Sequence, residues 1–330
     1  MDITEVPELV ENVGYPLMID SYNAVPVVYP QICEVLPVTD DLLYGERGNV
    51  VTALGEPDVV PYGQEIPEHT FDSAFTWRLK VFKLAHRLDL PKELIRASDA
   101  AGRIANLVAA QSTPQGRIFA ETCDRFIANM VQKGTLTAGD LRYFDGSFPN
   151  ETDSTPKYIY DGLPFFDTAH TLALSSTTPL NHIVSSSLTL ANLQAAHTAM
   201  AVTNALDERG QPIVVMPDTL LIPSGAMEFT ASVLLETMLK PGSANNDVNP
   251  MQGRYKLLPW RFLSDAESAS SWWLFQTQRD RSIRVRDSGS PQIETVYDPK
   301  TQSMSVIWYK YFGACVQNWR GAFCCNKAAS

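Results

Sequence analysis

The side chains best suited to chemistry in this sequence are its histidines and cysteines, five of each, and their spacing is poor for catalysis. Asp167 and His170 form the one histidine–carboxylate pair whose spacing suits a metal ion or a general base. A metal centre normally needs three or four protein ligands, and the sequence offers no third ligand beside this pair. We expect instead that Asp167 and His170 order their loop beside Phe165 and Phe166 through local hydrogen bonds.

Short motifs that place a cofactor or a nucleophile are absent from the chain. It has no glycine-rich dinucleotide loop, no P-loop, no HExxH and no GxSxG. We therefore predict that the protein is not an enzyme and has no catalytic, cofactor-binding or metal-binding residues. The odd number of cysteines, without any CxxC spacing, favours reduced thiols over a disulfide framework. Cys324-Cys325 is interpreted as a feature of the C-terminal tail.

Two further clusters could contact a partner. Trp272 and Trp273 are neighbours in a predicted strand and point to opposite faces, so we expect one in the core and the other as an interface anchor. The stretch 279–286 is rich in arginine, and we interpret it as an alternating strand with a solvated face. The acidic pI of about 4.9 argues against a protein that coats nucleic acid.

The charge of the chain is concentrated in its first 70 residues. They hold thirteen Asp and Glu against one basic residue, Arg47, a net charge of −12, while the other 260 residues sum to +1. Eight prolines interrupt this stretch, and proline disfavours long helices and central strands. Apolar runs nevertheless continue through it. We expect an extended acidic arm over residues 1–45 that lies on another molecule, and a body that stays folded without it.

Residues 46–88 predict an extended hairpin. Apolar Phe75, Trp77, Leu79 and Val81 alternate with polar residues, and this period of two is typical of a half-buried strand. A Gly- and Pro-containing stretch precedes that strand. We expect two long strands joined across this stretch as their tip.

A long amphipathic helix follows the hairpin. Apolar residues recur at spacings of three and four over 94–108 and 119–131. Asp89 and Pro91 suit an N-cap and a first turn. Ser112-Thr113-Pro114 predicts a bend, or a restart of the helix with Thr113 as its N-cap. About 40 helical residues would span roughly 60 Å, which is typical of a structural spine. A solvated face is the expectation for its arginines.

Shorter elements fill the rest of the chain. We predict helices near 189–206 and 225–239, a turn at 207–210 and a turn at 298–301. Strands are predicted at 213–216, 219–222, 254–263, 272–277, 281–287, 292–298 and 304–316. We expect no signal peptide, because the N-terminus lacks a positive stretch followed by an apolar one. No run approaches about 18 apolar residues, so no membrane span is expected.

Several local motifs, in this order, resemble one family. They are Asp161-Gly162-Leu163-Pro164-Phe165-Phe166-Asp167 with His170, the helix from Leu190, Asp207, Gly210, Pro212, Pro217-Asp218-Thr219-Leu220-Leu221-Ile222-Pro223, Lys310-Tyr311-Phe312-Gly313-Ala314 and Asn318-Trp319-Arg320-Gly321. These motifs and the order of the elements resemble those of tailed-phage major capsid proteins of the Hong Kong 97 fold, most of all the Mu-type major head subunit branch.

The resemblance implies an α+β architecture in five parts. These are an N-terminal arm (1–45), an extended loop (46–88), a peripheral domain with the spine helix (89–189), an axial domain (190–278), and the return strands of the peripheral domain with the C-terminus (279–330). It also implies that the axial domain meets its copies around fivefold and sixfold axes. The loop would reach over a neighbouring subunit, and the arm would clasp others.

The function implied by this resemblance is that of a major capsid protein, a structural protein of the virion. It would be assembled in the host cytoplasm into an icosahedral shell around the double-stranded DNA of a tailed phage or prophage. Its partners would be copies of itself in pentamers and hexamers, scaffold, portal and decoration proteins, and packaged DNA by non-specific contact, but no membrane. Two alternatives stay open: an encapsulin-like shell protein, and a soluble α/β enzyme or ligand-binding protein.

Overall fold

The architecture combines helices with three sheets. A computed structural model describes residues 6–39, 46–51, 59–60, 62–66, 68, 73–93, 101–135, 161–241, 247–263 and 268–326. The α-helices are α1 (Val6–Leu9), α2 (Tyr15–Asn23), α3 (Tyr29–Ile32), α4 (Ala101–Gln132), α5 (Leu190–Thr198) and α6 (Ala226–Glu236). Short π-helical segments, Val10–Gly14 and Ala199–Thr203, follow α1 and α5.

The strands follow the predicted order closely. They are β1 (Cys33–Pro37), β2 (Glu46–Val51), β3 (Ser73–Leu79), β4 (Phe82–Pro91), β5 (His182–Ile183), β6 (Thr219–Pro223), β7 (Lys256–Trp260), β8 (Trp272–Phe275), β9 (Ile283–Asp287), β10 (Gln292–Asp298), β11 (Ser303–Val316) and β12 (Ala322–Cys325). No helix of the described residues is long and apolar enough to cross a membrane.

The first sheet is organised around β11. Its order is β1-β9-β11-β10, and β4 pairs with the opposite edge of β11. The β10–β11 hairpin turns through the predicted residues, because the Asp298 carboxylate accepts hydrogen bonds from the Lys300 amide and the Thr301 hydroxyl. The predicted strands at 281–287, 292–298 and 304–316 are thereby confirmed as β9, β10 and β11.

The long helix α4 packs against the first sheet. Its predicted apolar positions are buried at Val108, Phe119, Cys123, Ile127, Met130 and Val131. The rings of Phe126 on α4 and Phe312 on β11 meet at 5.7 Å. At about 1.5 Å per residue its 32 residues span about 48 Å. The helix therefore has the spine character that its periodicity predicts.

Two details of the predicted spine are wrong. The helix runs through Pro114 without a restart, and Thr113 does not cap it, since its hydroxyl donates to the Ala109 carbonyl one turn earlier. Asp89 and Pro91 do not begin it either. They lie in β4, where Asp89 accepts a hydrogen bond from the Ser305 hydroxyl of the paired strand. Pairing with β11 outweighs the local helix-start signal.

The expected extended arm is wrong for residues 6–37. This segment forms α1 to α3 and then β1, which pairs in parallel with β9. Its prolines fit because Pro16 and Pro30 occupy the first turns of α2 and α3. The apolar residues are buried on their own chain at Val6, Val10, Met18, Tyr29 and Ile32. Residues 1–5 and 40–45 lie outside the described residues.

The contact between α2 and α4 is close enough to require glycine. A Cβ on Gly116 of α4 would lie 2.2 Å from the Met18 carbonyl oxygen and 2.9 Å from the Tyr22 amide nitrogen. A Cβ on Gly14, just before α2, would lie 2.9 Å from the Ser112 hydroxyl. The two backbones therefore touch directly, and the N-terminal segment is fitted to the spine.

Strands β2 and β3 form the predicted hairpin as a separate two-stranded sheet. Their register pairs Glu46 with Leu79 and Gly48 with Trp77. A Cβ on Gly48 would lie 2.1 Å from the Trp77 ring, so glycine is required there. Of the stretch between the strands, 59–60, 62–66 and 68 are described.

The second sheet has the order β5-β12-β8-β6-β7 and is covered on both faces. Leu220 and Trp272 face a core made with α5 and α6, whereas Leu221 and Trp273 face the core shared with α4 and the first sheet. The expectation of an interface role for one tryptophan is wrong, because Trp272 and Trp273 are both fully buried. Strands β5 and β12 come from outside residues 190–278.

The cysteine prediction is partly right. All five cysteines are buried free thiols, as expected. Cys324 and Cys325, however, are no tail feature, since they lie in β12 between β5 and β8. The remaining strands at 219–222, 254–263 and 272–277 and the helices near 189–206 and 225–239 are confirmed. Residues 213–216 form no ladder, because both edges of β6 are already occupied by β7 and β8.

Candidate assembly surfaces

The root of the hairpin is held by a network of carboxylates and guanidinium groups. Glu46, the first residue of β2, accepts hydrogen bonds from Arg284 at 3.0 Å and from Arg286 at 2.7 Å. Arg284 also donates to Glu34 of β1 at 3.0 Å, and its guanidinium lies 5.0 Å from the Trp77 ring centroid. The expected solvated face is therefore wrong for Arg284 and Arg286, which the N-terminal carboxylates Glu34 and Glu46 neutralise, whereas Arg279 is exposed as predicted.

Glu34 shows the electrostatic effect of this network. Partial burial alone would raise the pKa of Glu34, but hydrogen bonds from Arg284 and Gln317, together with the guanidinium charges of Arg284 and Arg286, outweigh burial and lower it. The carboxylate therefore stays charged at neutral pH. The base of the hairpin, β1 and β9 are joined into one unit.

Three apolar side chains at the tip of the hairpin are left uncovered by the described residues. Val59 is 97% exposed, Tyr62 fully exposed and Ile66 79% exposed. The root, by contrast, is packed, with Leu79 and Val81 buried against Cys315 of β11. Apolar side chains at the end of a two-stranded arm are typical of an interaction site.

A buried charge pair fixes the N-terminal segment on the first sheet. The Lys310 ammonium contacts Asp287 at 2.7 Å, and it donates to the Gly289 carbonyl at 2.6 Å and to the Tyr22 hydroxyl. Tyr29 donates to the second oxygen of Asp287 at 2.6 Å. Burial alone would lower the pKa of Lys310, but Cys123, Asp287 and Tyr22 outweigh it and raise that pKa.

Asp124 on α4 holds the same segment from the other side. Its buried carboxylate accepts hydrogen bonds from the Val28 and Tyr29 amides at 2.8 and 3.0 Å and from the Trp260 indole at 2.7 Å. Burial raises the pKa of Asp124, and the three hydrogen bonds oppose that shift. The start of α3 is therefore pinned to the spine and to β7 together.

His170 sits at a buried polar junction rather than in a catalytic arrangement. Its Nδ1 lies 2.8 Å from Asp161 and its Nε2 lies 2.9 Å from the Asn181 side-chain oxygen. The ring stacks on Trp319 at 4.3 Å between centroids. The predicted loop-ordering role is right, but the partner is Asp161, because the Asp167 carboxylate accepts from the Ala169 amide two residues on.

Three of the motif stretches meet at this junction. The Asn181 amide group donates to the carbonyls of Phe165 and Trp319 at 2.8 and 3.2 Å. Beside it, Arg320 donates to Glu208 at 2.9 Å, so that stretches 161–170, 207–212 and 318–321 are joined. Asn181 lies in none of the quoted motifs, and only its burial in the fold reveals its role.

A second histidine, His197, lies between Tyr255 and Arg254. Its Nε2 faces the Arg254 guanidinium at 2.8 Å, so Nε2 accepts and Nδ1 donates to the Tyr255 hydroxyl at 2.6 Å. Burial, and then the charge of Arg254, lower the pKa of His197. Among the described residues no three His, Cys, Asp or Glu side chains are grouped to hold a metal ion. The absence of site residues stays a prediction.

Two apolar surfaces on the helical layer over the second sheet are left uncovered by the part of the chain that the structure describes. Surface A lies on α6 and the segments after it, and surface B lies between Val202 and the 213–216 segment. The exposed members of surface A are Phe229, Val233, Met238, Leu239 and Val248, and those of surface B are Val202, Val214 and Met216. Like the described residues of the hairpin tip, these side chains are exposed.

Comparison with known proteins agrees with this arrangement. Residues 79–325 match the sequence profile of the family described as phage capsid protein. The capsid structure of Cyanophage P-SCSP1u is similar with 13% identity and a TM-score of 0.52, covering 92% of this chain and 89% of that chain. The capsid of Ralstonia phage GP4 is similar with 12% identity and a TM-score of 0.52, covering 93% of each chain. None of the curated proteins matches this sequence.

The fold is the Hong Kong 97-type architecture of these capsid structures. The chain belongs to the phage capsid protein family. The predicted fold class and the predicted role as a capsid shell protein of the virion are thereby confirmed. The resemblance to the Mu-type branch stays a prediction.

Proposed function

We propose that this chain is the major head subunit whose copies form pentamers and hexamers of a closed icosahedral shell around double-stranded DNA. The observation that carries the proposal is the combination of a packed body with an apolar hairpin tip directed outward, Val59, Tyr62 and Ile66. A monomer gains nothing from exposing such residues, whereas burial between copies stabilises an assembly by about 25 cal/mol per Å² of apolar surface.

The parts of the chain are assigned roles in the shell as follows. Residues 46–79 form the loop that reaches over a neighbour. Strand β4 (Phe82–Pro91) pairs with β11 along its length and belongs with residues 89–189 and 279–330 to the peripheral domain. Residues 190–278 form the axial domain at the fivefold and sixfold axes. Residues 1–45 remain the candidate for contacts with further neighbouring subunits. The inner face of residues 6–37 packs on its own chain, so the outer face would make these contacts. That outer face includes the half-exposed Tyr15 and Leu17.

The proposal includes no catalysis and no cofactor. Scaffold, portal and decoration proteins are partners of the assembly pathway in the host cytoplasm, and packaged DNA is a non-specific partner of the inner surface. Exposed Arg117 and Arg125 lie on the same side of α4, but Arg117 lies 3.8 Å from Glu121.

The test is expression of the full chain followed by electron microscopy and light scattering. We expect closed particles of uniform size built from the 36.6 kDa chain, and nuclease-protected double-stranded DNA in particles isolated from lysed host cells. A chain that stays monomeric at every concentration, with the full packed fold, would refute the shell. Particles filled with an enzyme cargo would instead indicate a storage compartment.

A further inference from the structure

Each of the two ring nitrogens of His170 faces an oxygen atom. Nδ1 lies 2.8 Å from the Asp161 carboxylate, and Nε2 lies 2.9 Å from the Asn181 side-chain oxygen. The side chains of His170 and Asp161 are both fully buried, so water cannot satisfy either nitrogen. A neutral imidazole has one donor and one acceptor, and only the charged ring donates from both nitrogens. The charge of His170 therefore depends on whether both neighbouring oxygens can only accept.

The orientation of the Asn181 side chain is fixed by its other neighbours. Its nitrogen donates to the carbonyls of Phe165 and Trp319 at 2.8 and 3.2 Å, and its oxygen accepts from the Asp167 amide at 2.9 Å. Turning the side-chain amide over would set its oxygen against two carbonyls and its nitrogen against an N–H group. The Asn181 oxygen can therefore only accept, and Nε2 of His170 carries a proton.

A second proton lies between Nδ1 of His170 and Asp161. Without it, a nitrogen lone pair would face a carboxylate lone pair at 2.8 Å. The other oxygen of Asp161 accepts from the Leu163 amide at 3.2 Å, which holds the carboxylate in place. An imidazole is a stronger base than a carboxylate, so the proton belongs to the ring. The geometry is thus that of an imidazolium paired with a carboxylate.

The Trp319 ring favours the same charge on His170. The two rings are 4.3 Å apart between centroids and 5° from parallel, and a cation over the face of an indole is attracted to it. The Arg320 guanidinium also lies 4.5 Å from the Trp319 ring, but Glu208 pairs with it at 2.9 Å. Each of the two cations at this tryptophan therefore has a carboxylate of its own.

Two further titratable side chains lie in the elements around the junction. The Asp167 carboxylate accepts from a backbone amide of its own loop at 2.9 Å, and His182 is buried in β5. Of the described carboxylates, Asp161 alone lies within hydrogen-bonding distance of the His170 ring. The proton count of the junction is therefore decided by Asp161 and His170.

The contact between His170 and Asn181 lies where the spine helix meets the second sheet. The Asn181 carbonyl accepts from the Cys324 amide of β12 at 2.8 Å. On the other side, the Phe166 amide donates to the carbonyl of Gly134, just beyond α4, at 2.8 Å. The loop 161–170 therefore runs from the end of α4 to the strands β5 and β12, and the His170 ring joins the two ends.

We propose that His170 is a pH-sensitive switch: its charged ring holds the loop 161–170 on Asn181 and the second sheet, and loss of its proton at alkaline pH weakens this contact. Removal of either proton leaves two acceptors facing each other inside the protein, and an unsatisfied buried polar group is costly. The junction must then rearrange. The inference concerns the folded chain and does not depend on the proposed shell function.

Nitrogen-15 NMR of the full chain with labelled histidines tests the protonation of the ring. At a pH of about 7.5 an ordinary histidine is mostly neutral. We expect one histidine with protons on both ring nitrogens, and its signal should be absent from His170→Gln and present in His86→Gln, at an exposed position of β4. Magic-angle spinning allows the same measurement on monomers and on particles. A His170 ring with one bare nitrogen at this pH would overturn the proposal.

Asp161→Asn is the second variant, and it keeps the test decisive if His170→Gln does not fold. The new amide nitrogen can donate to a bare Nδ1, while the amide oxygen can still accept from the Leu163 amide. We therefore expect a folded chain in which the His170 ring is neutral and the doubly protonated signal is lost. Asp167→Asn is the matched control and should keep that signal. Its survival in Asp161→Asn would count against the proposed pair.

Denaturation curves above pH 6.5 test the switch itself. There the histidines of the unfolded chain are mostly neutral, whereas the folded chain keeps its extra proton on His170. The equilibrium constant between folded and unfolded chain should therefore fall by up to about tenfold per pH unit, the limit for one proton. His197 adds nothing in this range, because its lowered pKa leaves it neutral in both states.

The variants separate this slope from that of other groups. Asp161→Asn should remove the fall in stability above pH 6.5, and Asp167→Asn should retain it. Equal slopes for wild type and Asp161→Asn would refute the switch, whatever the chain assembles into.

Discussion

Tyr22 and Lys310 are 288 positions apart in the chain, yet the Lys310 ammonium donates a hydrogen bond to the Tyr22 hydroxyl inside the protein and lies 4.6 Å from the centroid of its ring. This contact joins the N-terminal helices to the central strand of the first sheet. It explains why an acidic, proline-rich segment is part of the body, and it makes the segment's docking testable.

Lys310→Ala should lower the free energy of unfolding by about 3–5 kcal/mol, because it leaves the buried Asp287 carboxylate without its cation. Chemical denaturation measures this. Lys300→Ala, at an exposed position of the β10–β11 turn, is the control and should change stability by less than about 0.5 kcal/mol. Equal effects of the two substitutions would contradict a structural role for the buried pair.

Gly116→Ala should destabilise the protein by about 1–3 kcal/mol, because the added Cβ meets the Met18 carbonyl oxygen of α2. The sign is informative, since the same substitution in an ordinary helix interior stabilises by about 1 kcal/mol. Ala110→Gly, at an exposed position of the same helix, should cost about 1 kcal/mol. A Gly116→Ala variant more stable than wild type would show that α2 does not pack there.

His197 should give the stability a pH dependence of known sign. Burial and Arg254 lower the pKa of His197 in the folded chain below the ordinary 6.5. Between that lowered pKa and 6.5 the unfolded chain binds more protons. The free energy of unfolding therefore falls as the pH is lowered through this window, and the contribution is fully present above it.

Denaturation curves across this pH window measure the slope, and His197→Gln should remove its part of it. His86→Gln, at an exposed histidine on β4, should leave the His197 contribution in place. A slope that is unchanged by His197→Gln would show that another group titrates there.

Glu46→Gln should loosen the hairpin more than the body. Its carboxylate joins Arg284 and Arg286, and hydrogen bonds to charged groups contribute about 2 kcal/mol. Hydrogen exchange of β2 and β3 should therefore accelerate about 30-fold, the factor that corresponds to this free energy, while exchange in α4 stays slow. Glu294→Gln, at an exposed residue of β10, is the control. Uniform acceleration over the whole chain would argue against a local role for Glu46.

Deletion of residues 1–37 should unfold the body and not merely block assembly. The segment buries Val6, Val10, Met18, Tyr29 and Ile32, and each such side chain contributes about 1.5–3 kcal/mol. Together these contributions exceed the free energy of unfolding of about 5 kcal/mol that many domains have. Loss of the cooperative thermal transition measures the effect, with deletion of residues 1–5 as the control. A soluble, cooperatively folded 38–330 chain would restore the interpretation of a detachable arm.

Sequence patterns predicted the elements whose signals are local. The β10–β11 hairpin follows from alternation and from turn chemistry at Asp298, and α4 follows from apolar spacing over 119–131. Such periodicities extend over ten to twenty residues. They can therefore be recognised without knowing which other residues the segment contacts in the fold. The same reasoning failed at Asp89, since its helix-start signal competes with a strand ladder to β11, which lies more than 200 positions away in the chain.

The exposed apolar surfaces could not be predicted from local sequence patterns. Phe229 and Val233 stand in α6 at spacings that suit a core, and only packing shows that Leu234 and Leu235 are buried while they are not. Likewise, His170 is conspicuous in the sequence, but its partners Asp161 and Asn181 are defined by the meeting of three loops.

The sequence by itself determined the periodic elements and their order and the absence of familiar catalytic motifs. It also determined that the net negative charge is concentrated in the first 70 residues. The tertiary structure alone decided where that charge goes. Glu34 and Glu46 pair with Arg284, 250 and 238 positions away, and no composition count contains such a pairing. Hydrogen bonds and ion pairs act over a few ångströms in space, whatever the distance along the chain, so only the folded chain shows which acidic residues it neutralises.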